Sequence, residues 1–198
     1  MSLVELIAQA DERGLAASGL ACLDRCLPLL GGDDELLRPL WAALADGSDW
    51  GEGLEKARAA LGTAPSAEDE AARLTRRMLD AAPAERTAGT VRPWADACSV
   101  ASLRVHRLLD PATGTTDEDG LAAGRAGAAE DLQPLVAAEL RRQVAVLELL
   151  AGHGAHGLRH AREVSVEGRR VLRAVVSRRA RGTVDPEAQD SGAQDSRA

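Results

Sequence analysis

His153, His156, His160 and Glu163 follow one another at i, i+3, i+7 and i+10. On an unbroken helix that spacing brings imidazoles and a carboxylate to one side, a donor set that suits Zn²⁺ or another divalent metal. The glycines among them, Gly152, Gly154 and Gly157, argue instead for a turn between helices. A turn breaks the spacing and leaves histidines in water or near terminal carbonyls. The pattern also lacks the complete H-E-x-x-H arrangement of a zinc protease helix. The expectation is therefore no cofactor. A metal-binding protein or metal-dependent enzyme that uses these four residues is the alternative.

A second constellation is cationic. Between Leu158 and Arg181 stand eight Arg and two Glu, a local charge of +6 that leaves −13 on the rest of a chain whose total is −7. At about 100° per residue, Arg159, Arg162, Arg169, Arg170, Arg173 and Arg181 share one face of a helix. Val164, Val171, Leu172 and Val175 fall opposite. Such a face suits an acidic protein segment, nucleic-acid phosphate or anionic lipid. No aromatic residue interleaves the arginines, which disfavours stacking on single strands. The acidic remainder repels DNA, and no tight-turn recognition pair is evident. A protein partner, or self-association, is the expectation, with nucleic acid the weaker occupant. The competing reading is a solvated face neutralised by the acids elsewhere in the chain.

Glu139 and Gln143 form a third signal. They fall inside the apolar stripe of Leu132, Leu135, Val136, Leu140, Leu147 and Leu150. A carboxylate in such a stripe must be paired, hydrated or protonated, because an unpaired buried charge is costly. It marks either a polar site inside a bundle or an internal ion pair, with Arg104 or a C-terminal arginine as the expected partner. Cys22 and Cys26, one helical turn apart, and Cys98 read as small buried hydrophobes, because side chains one turn apart point alike and oppose a disulfide.

Composition sets the elements that carry these residues. Of 198 residues 45% are hydrophobic, yet there is no Phe or Tyr and only three Trp, so the core must be built of Leu, Val and Ala. Ala and Leu favour helices, and a sheet face would call for β-branched and aromatic residues. Ser2 with Glu5 is a capping box, and Gly31-Gly32 stops a helix that begins near Leu15. Pro39 either kinks the next helix or opens it. Further helices are expected over about 50–61, 66–81 and 93–109, the last opened by Pro93. Residues 110–127, rich in Gly, Thr and acids, read as a loop. The two strongest amphipathic patterns cover about 129–151 and 158–181, joined by the Gly-His-rich stretch as an antiparallel hairpin.

The expected fold is thus all-α, an irregular bundle of about seven helices within residues 1–182. A sub-boundary near 62–66 is the alternative to a single domain, and a disordered acidic tail follows at 183–198. No apolar run approaches the ~20 residues of a membrane span. The N-terminus lacks a basic region followed by an apolar one, and the sparse, odd cysteines fit reduced thiols, so a cytoplasmic protein is expected. No phosphate-binding glycine loop, dinucleotide fingerprint or nucleophile elbow occurs. These absences favour a non-catalytic interaction or regulatory protein that docks through its Arg-rich C-terminal helix.

Overall fold

The computed structural model describes residues 1–61, 69–112, 116–128 and 132–182. All regular structure among these residues is helical. The tail expected at 183–198, Ser66 and the proposed boundary near 62–66 lie outside the described residues.

Local chemistry accounts for most helix ends. Helix α1 (Leu3–Gln9) opens with the expected capping box, the Glu5 amide donating to Ser2 Oγ at 3.2 Å and the Ser2 amide to Glu5 Oε2 at 2.8 Å. Asp11 caps α2 (Glu12–Cys26), which passes into a 3₁₀ turn, Leu27–Leu30, ended by Gly31 at φ 68°. Pro39 lies in the first turn of α3 (Arg38–Asp46), so it starts that helix rather than kinking it. Helices α4 (Gly51–Ala60) and α5 (Glu70–Asp80) follow, the latter capped by Asp69.

Two expectations need correction. Helix α6 (Ala88–Leu109) begins five residues before Pro93, because Thr87 and Thr90 form a reciprocal cap that outweighs the proline's cost in the second turn. The stretch 110–127 is also not one loop, since α7 (Glu118–Arg125) forms within it. Asp117 caps α7, Glu118 and Asp119 favour its N-terminus, and Leu121 anchors it in the core. Its glycines hid the pattern. Gly124 is buried beside Leu132, 3.1 Å from where a Cβ would stand, so a small residue there serves packing.

Helix α8 (Pro134–Gly182) has helical secondary structure along its whole length. Were it straight, its 49 residues would span about 73 Å. Its contacts exclude that. The Leu135 amide donates to Asp110 Oδ2 at 2.7 Å, while Arg179 donates to the Leu108 carbonyl at 2.8 Å. Opposite ends of α8 therefore meet the same end of α6. Gly168 lies against Arg142, whose Cδ is 3.1 Å from the Cβ position, and Gly157 lies against the Leu149 carbonyl. The chain thus doubles back between Gly152 and Gly157. The result is the antiparallel hairpin expected from sequence, with its first arm before the bend and its second arm after it. The first arm begins at Pro134 rather than near Ala129.

Helix α2 is the axis of the bundle. Every residue from Gly14 to Cys26 is buried, and α2 packs chiefly against α6 and both arms of α8. A helix buried on every side needs small residues where neighbours approach. At Gly19 the Trp94 ring fills the space, with Cζ3 2.5 Å from a Cβ position. Trp50 meets Trp94 edge to face at 5.7 Å. Each tryptophan indole N–H has an acceptor: Asp24 for Trp41, the Pro83 carbonyl for Trp50 and the Met78 carbonyl for Trp94. Among the described residues, no helix is long and apolar enough to cross a membrane.

Candidate functional site

Glu139 and Gln143 are both buried, as their positions in the apolar stripe imply, but their partners come from elsewhere. Glu139 is fully enclosed and receives Arg25 of α2 on both oxygens, from Nε at 2.8 Å and Nη2 at 2.6 Å. Arg25 is equally enclosed. This fork-on-fork geometry is the strongest form of the pair. Arg104, the partner suggested by sequence, instead binds Glu118 on the surface.

The pair sits within a wider polar lattice. Ser102 Oγ donates to Glu139 Oε1 at 2.8 Å, and Gln143 Nε2 donates to the same oxygen at 2.9 Å. Gln143 also spans Ser99, accepting from its Oγ at 2.6 Å and donating to its carbonyl at 3.2 Å. Arg125 of α7 donates to Ser99 Oγ at 3.2 Å and pairs with Asp96. His106 closes the lattice. Its Nδ1 lies 2.8 Å from the Ser102 carbonyl and its Nε2 lies 3.6 Å from Glu139 Oε2. A carbonyl only accepts, so Nδ1 carries the proton.

Each ionisation state has a physical cause. Burial opposes the charge on Glu139, but the Arg25 charge and the hydrogen bonds donated by Arg25 and Gln143 overcome it and hold the carboxyl below its usual range. Burial, aided by Arg25 and Arg142, lowers His106 against the pull of Glu139, so the imidazole is neutral near pH 7. Burial pushes the thiols of Cys22, Cys26 and Cys98 well up, and all three remain free. Protonated, enclosed thiols are poor nucleophiles. The lattice therefore holds four elements in register, α2, α6, α7 and α8, and presents no acid, base or nucleophile to solvent.

The arginine face divides along its length. Arg169 is 4% exposed and pairs with Asp24 of α2, its Nε lying 3.4 Å from Asp34. Arg173 also pairs with Asp34, whose carboxyl it draws down. Asp24 is enclosed as well. Burial raises its pKa, against the pull of Arg169 and the Trp41 hydrogen bond. The Arg169–Asp24 pair is internal while Arg173 and Asp34 stay exposed, so the arginine face is not uniformly wet. The reason is angular. Arg169 stands about 60° from Leu172, the buried centre of the second arm, whereas Arg170 stands about 160° away.

The outer residues keep their exposure. Arg159 bonds its helical neighbour Glu163, at 3.1 Å, and Arg170 meets Glu167 at 3.6 Å. Arg162 is half-buried and Arg181 is exposed. Arg159, Arg170 and Arg181 recur every 11 residues, a step that returns within about 20° of the same face and spans about 16 Å. They form a straight outer stripe.

His153, His156 and His160 are exposed at and beside the bend, and Glu163 is engaged by Arg159. Among the described residues, no group of three His, Cys, Asp or Glu side chains is placed to hold a metal ion.

Sequence reasoning missed Asp24, Arg25, Ser99, Ser102 and His106. One signal was available. Asp24 and Arg25 stand side by side in the otherwise apolar run of α2, where a charged pair requires partners. No family model, curated protein or solved structure matches the chain.

Proposed function

We propose that the protein is a non-catalytic helical interaction module whose second α8 arm docks an acidic segment of a partner protein along Arg159, Arg170 and Arg181. The reading is carried by the in-register outer stripe beside an inner edge that already takes carboxylates. Along that inner edge, Arg169 and Arg173 receive Asp24 and Asp34 of the chain itself. The outer stripe offers the same guanidinium chemistry, and the exposed pairs of Arg159 and Arg170 with helix neighbours are weak enough for a partner's carboxylates to displace. Cys22, Cys26, Cys98, His106 and Glu139 are sealed inside, out of reach of a substrate in solution, which supports binding over catalysis.

The test uses the full chain and a fluorescent oligo-glutamate peptide, read by anisotropy at low and high salt. Replacing Arg159, Arg170 and Arg181 by Glu should weaken binding at least tenfold, and salt should weaken the wild type. Equal binding by the variant and the wild type, or tighter binding of a duplex DNA of the same charge, would overturn the reading.

A further inference from the structure

The bend of α8 contains glycines with opposite requirements. A Cβ at Gly152 meets nothing within 4 Å, whereas a Cβ at Gly157 would overlap the carbonyl oxygen of Leu149. Leu149 precedes Gly157 by eight residues, so in a straight helix the two would lie about 12 Å apart along the axis. The overlap exists only because the arms fold back on each other. Gly157 is thus the residue that permits closure.

Both arms are helical up to the bend, so opening rebuilds only the residues between Gly152 and Gly157 into one continuous helix. The second arm is moreover held largely by elements other than the first. Arg169 reaches Asp24 of α2, Arg173 reaches Asp34 before α3, and Gly168 receives the Arg25 side chain. A second copy carries every one of these groups in the same arrangement. Ala151, Gly152, His153 and His156 stand exposed at the bend.

We propose that α8 opens between Gly152 and Gly157 and exchanges its second arm with another copy of this chain. In the resulting dimer, Arg169 and Arg173 of each copy pair with Asp24 and Asp34 of the other. The exchanged and closed forms share their contacts outside the bend. The balance between them is set by the hinge and by protein concentration. A short hinge held by a close contact favours this kind of exchange.

Light scattering after gel filtration should show Gly157→Ala self-associating at least tenfold more tightly than the wild type, with Gly152→Ala unchanged. Spin labels at positions 141 and 167, in dimer diluted with unlabelled chain, should lie about 39 Å apart, the span of a straight α8. A monomeric Gly157→Ala of native helicity, or a dimer that keeps the short intrachain distance, overturns the proposal. Should Gly157→Ala fail to fold, Asp24→Arg and Arg169→Asp chains decide the matter. Refolded together they should form a heterodimer that neither forms alone, because exchange restores opposite charges at both sites. Absence of that heterodimer refutes arm exchange.

Discussion

The Arg25 side chain occupies the space that a side chain at Gly168 would need. A Cβ there would overlap Arg25 Cδ and come within 2.9 Å of Cγ. From that slot the guanidinium reaches Glu139 on the opposite arm. One buried charge pair thereby ties α2 to both arms of the hairpin, and a glycine makes the room. Gly168→Ala should destabilise the fold by about 1–3 kcal/mol, the range for overpacking a filled core. Urea denaturation followed by circular dichroism measures this.

Removing one member of the enclosed pair should cost more. Arg25→Met leaves Glu139 charged and buried, and Glu139→Gln leaves Arg25 so. Each should lose about 3–5 kcal/mol. Replacing both by Met should recover most of that loss, since paired apolar side chains of similar volume avoid the desolvation penalty. The double variant falling as low as the sum of the singles would refute this account of the lattice.

Neighbouring arginines should behave in opposite ways. Arg169 is enclosed with Asp24 and Arg170 is wet. Arg169→Ala should lower stability by about 3–5 kcal/mol through the stranded Asp24 carboxylate, and Arg170→Ala should change it by less than about 1 kcal/mol. Thermal melts of the two variants test the division of the face directly.

His106 should give stability a distinct pH dependence. Its folded pKa is lowered by burial and by the Arg25 and Arg142 charges, against the opposing pull of Glu139. The unfolded chain takes up its proton near about pH 6.5 and the folded chain does not. The contribution is therefore complete above about pH 6.5 and declines as the pH falls toward the folded pKa. Glu139, also lowered, contributes above the ordinary carboxylate range and loses that contribution only in stronger acid. Asp24, raised by burial, acts in the opposite sense. Comparing wild type with His106→Gln removes these shared terms. The wild type should lose stability between pH 6.5 and pH 5 more steeply than the variant, as read by urea midpoints.

The α2–α6 contact is equally specific. Gly19→Ala would drive a methyl into the Trp94 ring, and Trp94 is locked by its indole bond to the Met78 carbonyl at 2.9 Å. A loss of about 1–3 kcal/mol is expected, together with a change in near-ultraviolet circular dichroism from the displaced Trp50–Trp94 pair.

Particular residues show how far the chain could be read. Ser2 with Glu5, Gly31 and the Gly152–Gly157 stretch announced a cap, a stop and a bend, because each acts through neighbours a few positions away. Thr87 and Asp117 were equally local signals, overlooked because Pro93 and the glycines of α7 seemed to deny a helix. Glu139 was legible as a misplaced charge in an apolar stripe. Its partner was not, because Arg25 lies 114 residues earlier and neither residue's surroundings name the other.

The amino-acid order alone therefore determined that the protein is helical, where most helices begin and end, and that its last arginines share a face. Those properties follow from backbone hydrogen bonding, side-chain caps and the 100° turn between residues, all of short range. Tertiary packing decided which of the arginines are spent inside, which carboxylates meet them and which thiols are shut away from water. Charge burial depends on what the neighbouring helix supplies at that height, and only the assembled bundle fixes that.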